Sequence, residues 1–176
     1  NCVSYSIGAN YQLSADTAVF GRASRGGRAN ADRLLFGPAI LASGDIRDSD
    51  AAVDMVDQYE AGVRYRNGPI QVFATAFLAT TEETNFEATS QTFTDAEYES
   101  RGIEGEAFYH AGNFDFSGGA TYTKAEITAD RLNPANVGNT PRRQADWVFQ
   151  GTGSYTWGAF RVGANVVGTT ESFAQF

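Results

Sequence analysis

The chain has 176 residues, a formal net charge of −8, one histidine and one cysteine. No basic patch dominates, which excludes a nucleic-acid partner, and the lone Cys2 and His110 exclude an intrachain disulfide and a metal site built from several cysteines or histidines. No run of about 18 apolar residues exists, so no transmembrane helix is expected. The N-terminus lacks a charged segment leading into an apolar one, so no signal peptide is expected either.

Aromatics make up 13% of the chain and glycines number 19, while lysine is nearly absent, a mixture that suits β structure. Strict alternation starts at once. In SYSIGANYQL, Tyr5, Ile7, Ala9, Tyr11 and Leu13 share one face, and Ser4, Ser6, Gly8, Asn10 and Gln12 the other. Ala18–Arg25 is a weaker strand. In QYEAGVRY, Tyr59, Ala61, Val63 and Tyr65 oppose Gln58, Glu60, Gly62 and Arg64. Ile70–Thr81 is apolar on both faces, with Gln71 and Thr75 turning its odd positions to polar surroundings. In ESRGIEGEAFYH, Ile103, Gly105, Ala107 and Tyr109 form an apolar row opposite Glu104 and Glu106. Phe114–Ile127 is again weaker. WVFQGTGSYTW places Trp147, Phe149, Tyr155 and Trp157 together, and in FRVGANVV, Phe160, Val162, Ala164 and Val166 oppose Arg161 and Asn165.

These are eight strands, and their connections alternate. Ser14–Thr17, Asn67–Pro69, His110–Asn113 and Trp157–Ala159 are tight and carry the Asp, Asn, Gly and Pro that turns need. Gly26–Asp57, Glu82–Ala96 and Thr128–Ala145 are long. An up-and-down sheet then has all tight turns at one end and all long loops at the other, as outer-membrane barrels do. Each clean run is about 8–11 residues, the length of a tilted membrane strand. Aromatics gather near the tight turns (Tyr11, Tyr65, Tyr109, Phe114, Tyr155, Trp157, Phe160) and near the loop ends (Tyr5, Tyr59, Tyr122, Trp147), as the two interfaces of a bilayer select. The expected fold is all-β: antiparallel up-and-down transmembrane barrel strands, with Ile103, Gly105, Ala107 and Tyr109 towards lipid and Glu104 and Glu106 towards a wet lumen.

Glu60, Arg64, Glu104, Glu106 and Arg161 are the expected lumen charges. They line a ligand path, contact a plug, or form a charge ladder that hydrates the wall; the ladder is the plainer account, because wide barrels have polar interiors whatever they carry. Glu104 and Glu106 stand about 7 Å apart by strand rise, but nothing beside them tunes an acid–base pair, so no catalytic residue is expected. Arg22, Arg25 and Arg28 climb into the first long loop, and Arg142 and Arg143 sit at the same rim. There they hold an anionic ligand or lipid headgroup, or anchor the acidic loops that carry Asp45, Asp48, Asp50, Asp54, Glu82 and Glu83. Gly26 and Gly27 read as a bend where the strand leaves the sheet. The apolar segment Ala31–Gly44 reads as loop packing, Ser49 as the cap of a short helical turn, Phe86, Phe93 and Tyr98 as rings within the second loop, and His110 as a solvated turn residue.

The ordered motifs resemble TonB-dependent outer-membrane receptors. SYSIGANYQLSADTAVFGRASRGGRA is similar to their strand–turn–strand ending in Arg-x-Ser-Arg-Gly, here Arg22, Ser24, Arg25 and Gly26. VDQYEAGVRYRNG, with Tyr59, Glu60 and Gly62, resembles the next segment. SRGIEGEAFY resembles the Ser-Arg-Gly-hydrophobic-Glu strand through Ser100, Arg101, Gly102, Ile103 and Glu104, which adds Arg101 to the ligand-path candidates. GGATYTKAEIT, TPRRQADW and GSYTWGAFRVGANVVG follow in the family's order.

The resemblance implies a wide barrel, about 22-stranded, around an N-terminal plug whose TonB box couples to the inner-membrane energy machinery. It implies import of ferric siderophores, cobalamin, haem or oligosaccharides at the outer membrane of a Gram-negative bacterium, with no enzyme activity and no cofactor. Residues 1–176 are expected to be part of that barrel without the plug. Their partners would be the rest of the barrel, the plug, outer-membrane lipid and, only through the plug, the TonB complex. One rival is a complete eight-stranded outer-membrane barrel with a structural or adhesive role; another is a soluble β-rich binding domain.

Overall fold

The computed structural model describes residues 3–29, 53–87 and 92–172. Eight strands form one antiparallel sheet in sequence order: β1 (Tyr5–Gln12), β2 (Thr17–Ala29), β3 (Val53–Asn67), β4 (Ile70–Glu87), β5 (Thr92–Ala111), β6 (Phe114–Asp130), β7 (Trp147–Trp157) and β8 (Phe160–Thr169). A 3-10 turn, Pro134–Asn136, lies between β6 and β7. Every ladder joins sequence neighbours, and none joins β1 to β8 among the described residues. The sheet is therefore open, whereas a complete eight-stranded barrel would need that eighth ladder.

Local chemistry sets one end. The β3–β4, β5–β6 and β7–β8 hairpins turn on two residues each, Gly68-Pro69, Gly112-Asn113 and Gly158-Ala159. Their first positions have φ of 53°, 57° and 58°. A side chain there would crowd the following carbonyl, and a primed turn matches the strands' right-handed twist, so glycine leads each pair. Leu13 and Ser14 both donate to the Thr17 carbonyl in the β1–β2 turn.

Direct partners across an antiparallel ladder share a face, so the register sorts every side chain. One row runs Ala9–Gly21–Ala61–Ala76–Ile103–Tyr122–Trp147, and its neighbour, one residue along, runs Gly8–Arg22–Glu60–Phe77–Gly102–Thr123. The first belongs to an apolar face and the second to a polar one. The alternation read in β1, β3, β5, β7 and β8 is the observed one, and the odd positions of β4, among them Gln71 and Thr75, do lie on the polar face.

Among the described residues only Ala18, Ala125 and Ile127 are buried apolar side chains. Trp157, Phe160 and Val162 are 77%, 74% and 74% exposed. A single sheet with a bare apolar face has no core to hold it in water, which removes the soluble sandwich. Aromatic rings line that face in contact, with Tyr109 to Phe114 and Phe114 to Tyr155 each 6.4 Å apart near the turns and Tyr122 to Trp147 5.0 Å apart above. From Phe114 to Tyr122 is roughly 26 Å along the strand, or about 20 Å of height at a tilt near 40°, most of the outward band of a membrane barrel.

Several expectations are corrected at the other end. Strands run 8, 13, 15, 18, 20, 17, 11 and 10 residues, so the middle ones continue well past the length a bilayer requires. Gly26 and Gly27 do not bend away from the sheet; they pair with Val56 and Met55. The stretch expected to hold a helical turn enters β3 at Val53, while Ser49 and residues 31–44 lie outside the described residues. Most of the second long loop is ladder, reaching Glu87 opposite Thr92 and taking Phe86, Phe93 and Tyr98 into β4 and β5. Among the described residues the third long connection, past Asp130, is a loop, and it is tied down. Beyond the start of β7, Gly138 donates to the Ile127 carbonyl, Ile127 to Asn139 and Thr123 to Asp146, so the loop supplies β6 with the partners β7 no longer gives.

Candidate functional site

The charged side chains of the polar face form small linked groups. Arg22 and Glu60 are direct cross-strand partners, with Nε 2.8 Å from Oε2. Gln58 donates to the other Glu60 oxygen at 2.6 Å. Two residues along β2 and four along β3, the Arg64 guanidinium lies 4.4 Å from the centre of the Phe20 ring, where the electron-rich ring face attracts it. The same ring covers Gly62, whose missing Cβ would stand 2.6 Å from it. Phe77 covers Gly102 in the same way, at 2.6 Å. A flat glycine thus gives each large ring a place to lie against the wall.

Nearer the turns, Arg161 on β8 donates to Ser154 Oγ at 2.8 Å and to Asp115 Oδ2 at 3.1 Å. The other Asp115 oxygen bonds His110 Nδ1. These groups flank a hollow of about 600 Å³ whose further walls include Phe73, Phe108 and Glu106. Phe73 and Phe108 meet edge to face at 6.0 Å. At the far end, Arg28 Nη2 lies 2.7 Å from Asp54, the one buried charge among the described residues at 5% exposure, and the pair borders a second hollow of about 520 Å³ with Val56 and Thr81.

The ladder places six of the eight sequence candidates, Arg22, Glu60, Arg64, Glu104, Glu106 and Arg161, on the polar face. Glu104 lies between Thr75 and Thr121, and neither it nor Glu106 makes an ion pair among the described residues. The other two are corrected. Arg25 pairs with Tyr5 and Asp57, and Arg101 with Leu78 and Lys124, all on the apolar face. The cause is parity. Arg101 stands two residues from Ile103, so a side chain cannot lie opposite Glu104 and share its face. Arg25 holds Asp57 with both fork nitrogens, at 2.8 and 2.5 Å.

Sequence reading missed Asp115, which joins His110 to Arg161; its place between Phe114 and Phe116 in an alternating strand was the available signal. It also read His110 as merely solvated. At the end of β6, Asp130 holds the third loop. Its carboxylate accepts from the Leu132 and Asn133 amides at 3.1 and 2.8 Å and from the Asn136 amide group at 2.9 Å. Those bonds, the Asn133 amide's first, hold its pKa below the usual 3.8.

This assembly is a wall rather than a pocket. Apart from Arg28–Asp54 its ion pairs are partly exposed, a kind that contributes little to stability, and they join neighbouring strands, or β6 to β8 across β7, instead of converging on one point. The hollows open on the polar face at its two ends.

Comparison with known proteins gives this wall its setting. The chain superimposes on solved β-barrels at low identity: the copper transporter OprC (16% identical, TM-score 0.70, 97% of this chain and 26% of that one), the ferric-catecholate import receptor Fiu from E. coli K12 (15%, 0.70, 92% and 24%) and BauA, the ferric preacinetobactin receptor from Acinetobacter baumannii (18%, 0.71, 95% and 25%). It spans about a quarter of each of these chains. No curated protein matches the sequence. The family model for the TonB dependent receptor-like β-barrel matches residues 2–175, and the chain belongs to that family.

Proposed function

We propose that these eight strands are part of the wall of an outer-membrane receptor of a Gram-negative bacterium that takes up a scarce nutrient, such as a ferric siderophore, at the expense of TonB-supplied energy. The observation that carries the reading is the two-faced open sheet: an apolar face bounded by aromatic rings and a polar face of linked charges, in an order shared with metal and siderophore transporters. On this reading the polar face lines the barrel interior. Arg22, Glu60, Arg64 and Arg161 hydrate and stitch that wall, while Glu104 and Glu106 remain free to meet a plug or a passing ligand. On this reading the protein is a transporter and not an enzyme.

The test uses the intact receptor that contains these strands, expressed in an iron-starved Gram-negative host lacking its own uptake receptors. Labelled catecholate, hydroxamate and phenolate iron chelates are supplied, alongside copper, cobalamin, haem and oligosaccharides. Accumulation of one of them that stops when the proton gradient is collapsed is expected. No energy-dependent accumulation of any would remove the uptake reading.

A further inference from the structure

The apolar face carries no charge on β5 from Tyr109 to Ile103, nor on β6 from Phe114 to Tyr122. The next row along that face is Arg101 directly opposite Lys124, the only lysine of the chain. Both are exposed, and neither makes an ion pair among the described residues. Two cations at directly opposed positions repel. On β2 and β3 the same row is uncharged, Ala23 opposite Tyr59, and one row farther out Arg25 holds Asp57. One row farther out, Glu99 faces Glu126, diagonal to the two cations, yet no ion pair forms with either.

Height gives the pair a meaning. Tyr122 and Trp147, 5.0 Å apart on the row below, are the kind of ring pair that settles at the headgroup level of a bilayer. Arg101 and Lys124 thus stand where lipid phosphates are, above an apolar strip broad enough for acyl chains. A planar fork and a point charge side by side match the diverging oxygens of a phosphate. The anion that relieves their repulsion approaches from outside the barrel, since the polar face lies on the other side of the sheet.

We propose that Arg101 and Lys124 form a binding site for the phosphorylated headgroup of an outer-leaflet lipid, whose acyl chains lie along the apolar face of β5 and β6. The site rests on the membrane placement of the sheet and is independent of which nutrient is carried.

The experiment titrates purified intact receptor in nonionic detergent with a bisphosphorylated glucosamine-disaccharide lipid and with the same lipid after phosphate removal, counting bound lipid by native mass spectrometry. The parent should prefer the phosphorylated lipid. Arg101→Gln or Lys124→Gln should each weaken that lipid about fivefold, and both together roughly 25-fold. Arg101→Lys should bind nearly as the parent does, and Arg22→Gln, on the other face, should leave binding unchanged. Glu99→Gln with Glu126→Gln should leave it unchanged or tighten it. The proposal is overturned if the double glutamine variant keeps the parent's preference, or if millimolar inorganic phosphate displaces the lipid, which would make this a free-anion site. A parent that binds neither lipid overturns it as well; whether that parent inserts into vesicles with heat-modifiable gel mobility then tells whether the membrane placement fails too.

Discussion

The strands have two contrasting regions, the band between the aromatic rows and the rim beyond Tyr122 and Trp147. In the band, the two faces could hardly differ more: Ile103 and Ala107 against Glu104 and Glu106 on β5, Val162 and Ala164 against Arg161 and Asn165 on β8. At the rim the faces converge in character. Glu82, Glu97, Glu99 and Lys124 stand on what was the apolar side, and Ala125 and Ile127 are buried on what was the polar side. Alternation is a response to two solvents. Where both faces meet water, or a loop packs against one of them, the hydrogen-bonded ladder continues but the sequence pattern that announces it stops.

The largest expected effect separates the regions directly. Ala164→Arg puts a guanidinium on the apolar face of the band and should cost roughly 2–4 kcal/mol of folding stability in vesicles. Asn165→Arg, on the polar face one residue along, should cost far less. Thr80→Arg, on the apolar side of the ladder but at the rim and directly opposite Glu99, should change stability by no more than about 0.5 kcal/mol. Equal losses at positions 164 and 80 would erase the boundary drawn between band and rim.

A second contrast concerns how closely the strands approach. A Cβ at Gly102 would stand 2.0 Å from the Tyr122 carbonyl oxygen and 2.6 Å from the Phe77 ring, whereas nothing lies within 4 Å of one at Gly105. Gly102→Ala should therefore destabilise by about 1–3 kcal/mol, and Gly105→Ala should stay within about 0.5 kcal/mol of the parent. Urea unfolding of the two variants in lipid checks the difference, and similar values would deny Gly102 its close approach.

The smallest effect belongs to the rim alone. Asp130→Ala removes three hydrogen bonds that hold residues 131–136, so cleavage there by an added protease should rise, with about 1 kcal/mol or less of lost stability. Because the folded state depresses the Asp130 pKa below 3.8, its contribution is complete above that value and is lost as pH falls through the lower, folded one. Protease resistance of the parent loop should follow, falling towards that of the variant only in the acid range below 3.8. A parent loop cleaved as fast as the variant at neutral pH would break the assignment.

How much could be read without coordinates follows the same boundary. The strands of the band and their faces were legible because period two is imposed from both sides. Arg101 and Arg25 stand among the ligand-path candidates, although parity with Ile103 and Ala23 puts both on the apolar face; charge, unlike parity, does not tell one face from the other. The rim strands were not legible. Thr92–Glu97 and Val53–Asp57 carry no clean alternation, and the Gly26-Gly27 pair resembles a bend although the ladder runs through it opposite Val56 and Met55. Of the polar wall, the Arg22–Glu60 pair involved two candidates, but the Asp115 bridge to His110 and Arg161 joins strand positions that only the register brings together.

That every ladder joins consecutive strands has a consequence for how the sheet is made. Each new strand finds its partner across a connection already in the chain, and three of those connections are two-residue turns. The growing edge can advance one hairpin at a time, with short-range contacts forming first and little loop-closure entropy to overcome. A register slip by one residue would turn a whole strand inside out and put its charges on the apolar face, so the two-residue turns that set register also keep the two faces apart.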